Sequence, residues 1–261
     1  MAGLSNRSPF ADIQFAADGF LLRGTLHLPV ADNPPVVIGC HGLLSDRSSP
    51  KQIALAEACN ALGLAFFRFD HRGCGESAGR LEAVTSLEGR ASDLLHAIRL
   101  LESRPGLGKR IGLFGSSMGG AVCLRVASAR QVAAVVTFAA PVRSLPLTRP
   151  GREPDASPEG RRISSVLREA FELGSTLGRV RNILVVHGEA DDLVPLSHAH
   201  EIFDHAAEPK RLLVQKGGDH LMSEATHQAE FIREASLWLS NGLKHVRPRT
   251  ISLPRIAGFR R

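Results

Sequence analysis

The most reactive spacing in this chain is Gly115-Ser116-Ser117-Met118-Gly119, a G-x-S-x-G pentapeptide. A serine hydroxyl is a weak nucleophile at neutral pH until a base takes its proton. Glycines two before and two after the serine permit a sharp turn, because strand and helix can close up where no Cβ intervenes. Ser117 has both glycines and Ser116 has neither. The chemistry in prospect is attack by Ser117 on an acyl carbonyl. That attack also needs a proton acceptor, an acid that orients the acceptor, and donors for the oxyanion.

Of the 11 histidines, His220 is the best placed for the acceptor. It sits in Lys216-Gly217-Gly218-Asp219-His220, a glycine-rich loop after a strand-like run and before a helical one. Loops leaving the carboxyl ends of strands are where α/β sheets place chemistry. His198, His200, His205 and His227 fall in helical patterns and are expected at the surface. The acid candidates are Glu189, Asp191 and Asp192, in the stretch His187 to Pro195. Residue types alone leave these open, and an acidic turn that merely caps the next helix is the plainer alternative. For the oxyanion, the first donor expected is the N–H of Met118, just after the nucleophile. The second is the N–H of Leu43 in His41-Gly42-Leu43, with Gly42 expected to let the backbone turn.

These residues need a frame. Val36 to Cys40, Leu64 to Phe69, Arg110 to Phe114, Val132 to Phe138, Ile183 to Val186 and Arg211 to Val214 are short apolar runs of the kind buried on both sheet faces. Helical periodicity falls between them at about 51–62, 88–103, 121–127, 198–207 and 224–241. Near the start, Asp18-Gly19 joins two strand-like runs as a hairpin. Repeated alternation of strand and helix predicts an α/β fold with a mostly parallel central sheet and helices on both faces. Residues 141–179 break the rhythm with five prolines and one helical stretch at about 162–173. A long unpatterned insertion in a compact domain is expected to be functional.

A chain of 261 residues with 43% hydrophobic content can bury a large core. The net charge of +6 equals the six basic residues from Lys244 onward, so the rest is formally neutral. The basicity therefore belongs to a tail at 243–261, and no nucleic acid is expected as a partner. There is no long apolar run and no leader-like N-terminus, which makes cytoplasmic the expected location. Cys40, Cys59, Cys74 and Cys123 lack disulfide or zinc spacing and read as reduced structural thiols. Gly73-x-Gly75 after a strand does not complete a dinucleotide fingerprint, because residue 78 is Ala. No cofactor and no metal are expected. The pair His198 and His200, two apart on a helix, would diverge rather than share an ion with Asp191 and Asp192.

Four motifs in order now carry a resemblance: His41-Gly42, Asp70 to Ser77, Gly115 to Gly119, and the Asp191 and His220 loops. The chain resembles the α/β-hydrolase superfamily over about residues 10–242. Within it, the closest likeness is to the small serine hydrolases grouped with acylglycerol lipases, serine aminopeptidases and cinnamoyl or feruloyl esterases. Their H-G-x-x-D-x-x-V-P motif matches His187, Gly188, Asp191, Val194 and Pro195, which implies Asp191 as the acid. The resemblance implies a Ser117–Asp191–His220 triad and a cap formed by 141–179 on a hydrolase domain of residues 1–242. It implies a serine esterase acting on a small-molecule ester. A thioesterase, an amidase or peptidase, or an acyltransferase could use the same triad. A non-catalytic binding module on this fold would be expected to lack a triad member, and none is missing here.

Overall fold

The computed structural model describes residues 10–144 and 170–244. Eight strands form one sheet: β1 (Phe10–Ala17), β2 (Phe20–His27), β3 (Val36–Cys40), β4 (Ala65–Phe69), β5 (Ile111–Ser116), β6 (Ala134–Phe138), β7 (Arg181–Gly188) and β8 (Ala207–Gln215). Their spatial order is β1-β2-β4-β3-β5-β6-β7-β8. The β1–β2 and β2–β4 pairs are antiparallel, and every pair from β4 to β8 is parallel. The helices are α1 (Pro50–Ala61), α2 (Leu81–Val84), α3 (Leu87–Ser103), α4 (Met118–Ala129), α5 (Ser197–His205) and α6 (Ala225–Lys244).

Side chains alternate across the strands, so each central strand feeds two cores. Val36, Ile38 and Cys40 join Leu113 and Val135 under α3, α4 and α5. Val37 joins Phe66, Phe114 and Phe138 on the opposite face, under Leu55 of α1 and Phe231 and Leu239 of α6. This double burial is why β3 and β6 read as unbroken apolar runs.

Most expected elements appear with shifted ends. The strand expected at 211–214 begins at Ala207, so the preceding helix stops at His205. The helix expected at 162–173 lies largely outside the described residues, and its last part is not helical. There, Glu172 bridges Arg143 in antiparallel fashion. The Ser144 N–H bonds the Phe171 carbonyl and the Leu173 N–H bonds the Val142 carbonyl, at 3.0 and 2.8 Å. The two ends of the 145–169 segment therefore meet in a neck, which Arg143 braces against Glu172 and Glu201. Most of the expected cap, and the tail from residue 245 onward, lie outside the described residues.

The register sets up the site. Cys40 pairs with Gly115, and Ser116 with Phe138. The carboxyl ends of β3, β5, β6 and β7 thus lie side by side. The loops holding Leu43, Ser117 and Asp191 all leave the sheet from one edge.

Candidate active site

Ser117 occupies the junction between β5 and α4 with φ 53° and ψ −124°. A left-handed backbone at a residue with a Cβ costs about 1–3 kcal/mol. The turn is held by the Ser117 N–H, which donates to the Phe138 carbonyl at 2.8 Å. The flanking glycines are there for space. A Cβ on Gly115 would stand 2.2 Å from the Gly119 carbonyl oxygen, and one on Gly119 would stand 2.1 Å from that of Cys40.

His220 approaches from the loop after β8, with Nε2 3.2 Å from Ser117 Oγ. Its Nδ1 lies 2.8 Å from Asp191 Oδ2. The acid loop and the base loop pack directly together. A Cβ on Gly188 would meet the Gly218 carbonyl oxygen at 2.3 Å, and the Ala190 N–H donates to that carbonyl at 2.8 Å. Of the three acid candidates, Asp191 alone faces His220. The Glu189 carboxylate accepts the Gly217 N–H at 3.0 Å, and Asp192 points to solvent.

The Asp191 side chain is buried. Burial alone would push its pKa up. Hydrogen bonds from His187 and His220, the charge of His220 and the Val194 N–H outweigh that and hold the carboxyl well below its ordinary range. Its Oδ1 accepts the N–H groups of Leu193 and Val194 at 2.9 and 2.8 Å. These bonds lock the carboxylate plane. With Oδ2 accepting from Nδ1–H, His220 is left with a bare Nε2 facing the serine hydroxyl.

The loop after β3 lies against the nucleophile. A Cβ on Gly42 would be 3.6 Å from both Ser117 Cβ and the Ser116 carbonyl oxygen. That is ordinary contact, and Gly42 is not among the residues with positive φ. The expectation that Gly42 is needed to turn the backbone is therefore corrected. The peptide is set instead by side chains behind it. His41 Nε2 accepts the His71 N–H at 3.1 Å, so its proton resides on Nδ1, which donates to the Gly42 carbonyl at 2.7 Å. Burial first, then the nearby His71 and Arg90 charges, push the His41 pKa well down. On the other side of the turn, Met118 is the first residue of α4, so its N–H has no partner within the helix.

Several supporting residues have contacts that the sequence does not assign. Asp70 is fully buried and accepts from the Arg47 backbone and guanidinium and from the Glu76 N–H. It ties the loop after β3 to the loop after β4. His187 donates through Nε2 to the Val194 carbonyl at 2.9 Å and lies 3.3 Å from Asp191. His198 is buried rather than at the surface, because the start of α5 packs on the neck and His198 Nδ1 accepts the Val142 N–H at 3.0 Å. Lys51 places its ammonium 3.8 Å from the centre of the Phe138 ring. Burial lowers its pKa to about 8 against the opposing pull of Asp219 and Asp191. The clearest missed signal is Arg90. It falls three residues after Leu87 and four before Leu94, on the apolar stripe of α3.

All four cysteines are free and buried. Among the described residues, no helix is long and apolar enough to cross a membrane.

Comparison with known proteins agrees with this architecture. The chain is similar to an uncharacterized protein of Mycobacterium tuberculosis, Rv2307c, at 33% identity over 196 residues. That match covers 71% of this chain and 63% of the relative, so this chain spans less than two thirds of it. It is similar to the mitochondrial palmitoyl-protein thioesterase ABHD10 of Bos taurus, at 31% identity over 73% of this chain and 68% of that protein. In fold it resembles the ferulic acid-bound structure of Est1E from Butyrivibrio proteoclasticus, with a TM-score of 0.71 at 20% identity. That alignment covers 87% of this chain and 98% of Est1E. The pattern of the family described as serine aminopeptidase, S33, matches residues 32–172, over half of the chain. The chain therefore belongs to that family and has the α/β-hydrolase fold.

Proposed function

We propose that this protein is a hydrolase that cleaves carboxylic esters through an acyl-enzyme on Ser117. The observation that carries the reading is the unbroken relay of 2.8 Å from Asp191 to His220 and 3.2 Å from His220 to Ser117. His220 Nε2 takes the hydroxyl proton as Ser117 Oγ forms a bond to the acyl carbon. The carbonyl oxygen becomes an oxyanion facing the Leu43 and Met118 N–H groups. Collapse breaks the ester bond, and the imidazolium gives its proton to the departing alkoxide. Water, deprotonated by the same imidazole, then releases the acid and restores Ser117. Asp191 stays ionised throughout and holds the imidazolium in place. The steps use no cofactor and no metal.

The substrate is a small-molecule ester, and the four reduced thiols suit a reducing compartment, the cytoplasm. A second reading, thioester cleavage by the same residues, is favoured by the likeness to the bovine palmitoyl-protein thioesterase. Matched oxygen ester, thioester and anilide substrates of one acyl group separate ester, thioester and amide cleavage. The same panel should be run on Ser117→Ala, with mass spectrometry for a stoichiometric acyl adduct on the unsubstituted protein. Unchanged turnover in Ser117→Ala, or fluorophosphonate labelling at another residue, would sink the proposal.

A further inference from the structure

Among the described residues, Arg90 is the largest fully buried side chain. A guanidinium taken out of water is costly unless a carboxylate faces it. Among the described residues no carboxylate bonds to it, and Asp93 acts on it only at a distance. Asp93, three residues further along α3, is engaged by Arg72 through Nε and Nη2 at 2.8 and 2.7 Å, with His71 Nδ1 at 3.4 Å. Arg90 instead donates from Nη1 to the Gly42 carbonyl at 3.2 Å and from Nη2 to the Leu43 carbonyl at 3.0 Å. Its third partner is Cys74 Sγ at 3.2 Å, and its Nε has no hydrogen-bond partner among the described residues. Burial pushes the Cys74 thiol up, so the sulfur supplies no countercharge. A positive charge is thus held in the core and aimed at two carbonyls of one loop.

The peptide plane turns that contact into an orientation. In a trans peptide the carbonyl of Gly42 and the N–H of Leu43 point in opposite directions. The Gly42 oxygen is held on the core side by Arg90 and by His41 Nδ1–H. The Leu43 N–H must then face away from Arg90, and among the described residues it has no hydrogen-bond partner.

We propose that Arg90 is the positioning residue of the oxyanion hole. It holds the Gly42 and Leu43 carbonyls from the core side, fixes the Leu43 N–H outward, and stands behind that N–H with its charge as the oxyanion forms. This rests on the reading of Ser117 and Leu43 given above.

The test compares Arg90→Met and Arg90→Lys with the unsubstituted protein on two p-nitrophenyl substrates of the same acyl group. One is the oxygen ester and the other the thionoester, in which C=S replaces C=O. Attack on the thionoester puts the developing charge on sulfur, a poor hydrogen-bond acceptor, so that reaction draws little on the hole. Removing a direct oxyanion donor costs about 10²–10³ in kcat, and loss of its positioning should cost about 10–10² on the ester. The thionoester kcat and the ester KM should each change by less than about threefold. Arg90→Lys keeps the charge and can reach one carbonyl, and it should recover part of the ester rate. An equal fall on both substrates would overturn the assignment and make Arg90 a general structural residue. So would an unchanged ester rate, or failure of both variants to fold. If the unsubstituted protein forms no adduct on Ser117, the reading of the site fails before that of Arg90. If it forms one and only the substrate ratio is unmoved, Arg90 alone is wrong.

Discussion

The tightest geometric demand around the nucleophile falls on Gly119, and Gly119→Ala puts a number on it. A Cβ there would lie 2.1 Å from the Cys40 carbonyl oxygen and 2.6 Å from that of His41. Carbon and carbonyl oxygen settle at about 3.3 Å, so β3 and α4 must separate by about 1.2 Å at this point. Both obstacles are backbone, and neither can swing aside. Overpacking of this kind costs about 1–3 kcal/mol, which for a domain of this size lowers Tm by about 2–12 °C. The activity loss should exceed what the stability loss suggests. The carbonyls that must move belong to the strand end carrying the Leu43 loop. A misplacement of about 1 Å in a catalytic constellation costs about 10²-fold in rate. Burst titration counts competent sites, and kcat per site can then be set beside the melting curve. Gly42→Ala is the control, because its Cβ would find ordinary contacts of 3.6 Å. It should shift Tm by less than about 2 °C. A Gly119→Ala protein with unaltered Tm and kcat within about threefold would refute the close-approach argument.

Asp191→Asn should lower kcat by about 10⁴-fold, because an amide can present its N–H to His220 Nδ1 and hold the wrong tautomer. The same variant bears on acid stability. The folded Asp191 carboxyl is held below its unfolded value of about 3.9, so its contribution is full above that value and fades as pH falls below it. Urea titrations below about pH 4 should show a shallower pH slope for Asp191→Asn than for the unsubstituted protein. Lys51 has the opposite sign. Its folded pKa of about 8 lies below the unfolded value of about 10.4, so the unfolded chain binds more protons between them and stability rises with pH there. Lys51→Met should flatten that rise, and an unchanged slope would count against the buried position of its ammonium. Replacing residues 145–169 with a short Asn-Gly turn should change the ranking of acyl lengths. An unaltered ranking would show that the segment takes no part in selection.

What could be read from the residues follows from how local the cause is. β3 and β6 announce themselves because both faces are buried and every position is apolar. The turn at Ser117 is legible because two glycines answer to two backbone clashes a few residues away. The choice among Glu189, Asp191 and Asp192 is not local. It depends on where the His220 loop lands, 29 residues further on. Arg90 is hidden for a related reason. A lone arginine on an apolar stripe looks like a snorkelling surface residue until the loop it holds, 48 residues earlier, is brought against it. His198 passes for a surface residue until the neck at Val142 covers the start of α5.

These distances along the chain also explain why the chemistry is plainer than the choice of substrate. The nucleophile turn, the acid loop and the base loop are each set by backbone contacts to a neighbouring strand end, and short motifs suffice to encode them. Residues 145–169 enter and leave through the paired backbone of Val142, Ser144, Phe171 and Leu173, braced by Arg143. The elbow takes its register instead from Cys40, Phe138 and Val186, whose backbone pairings lie wholly outside that segment. On the proposed reading, the residues that react are therefore held by pairings that do not depend on residues 145–169.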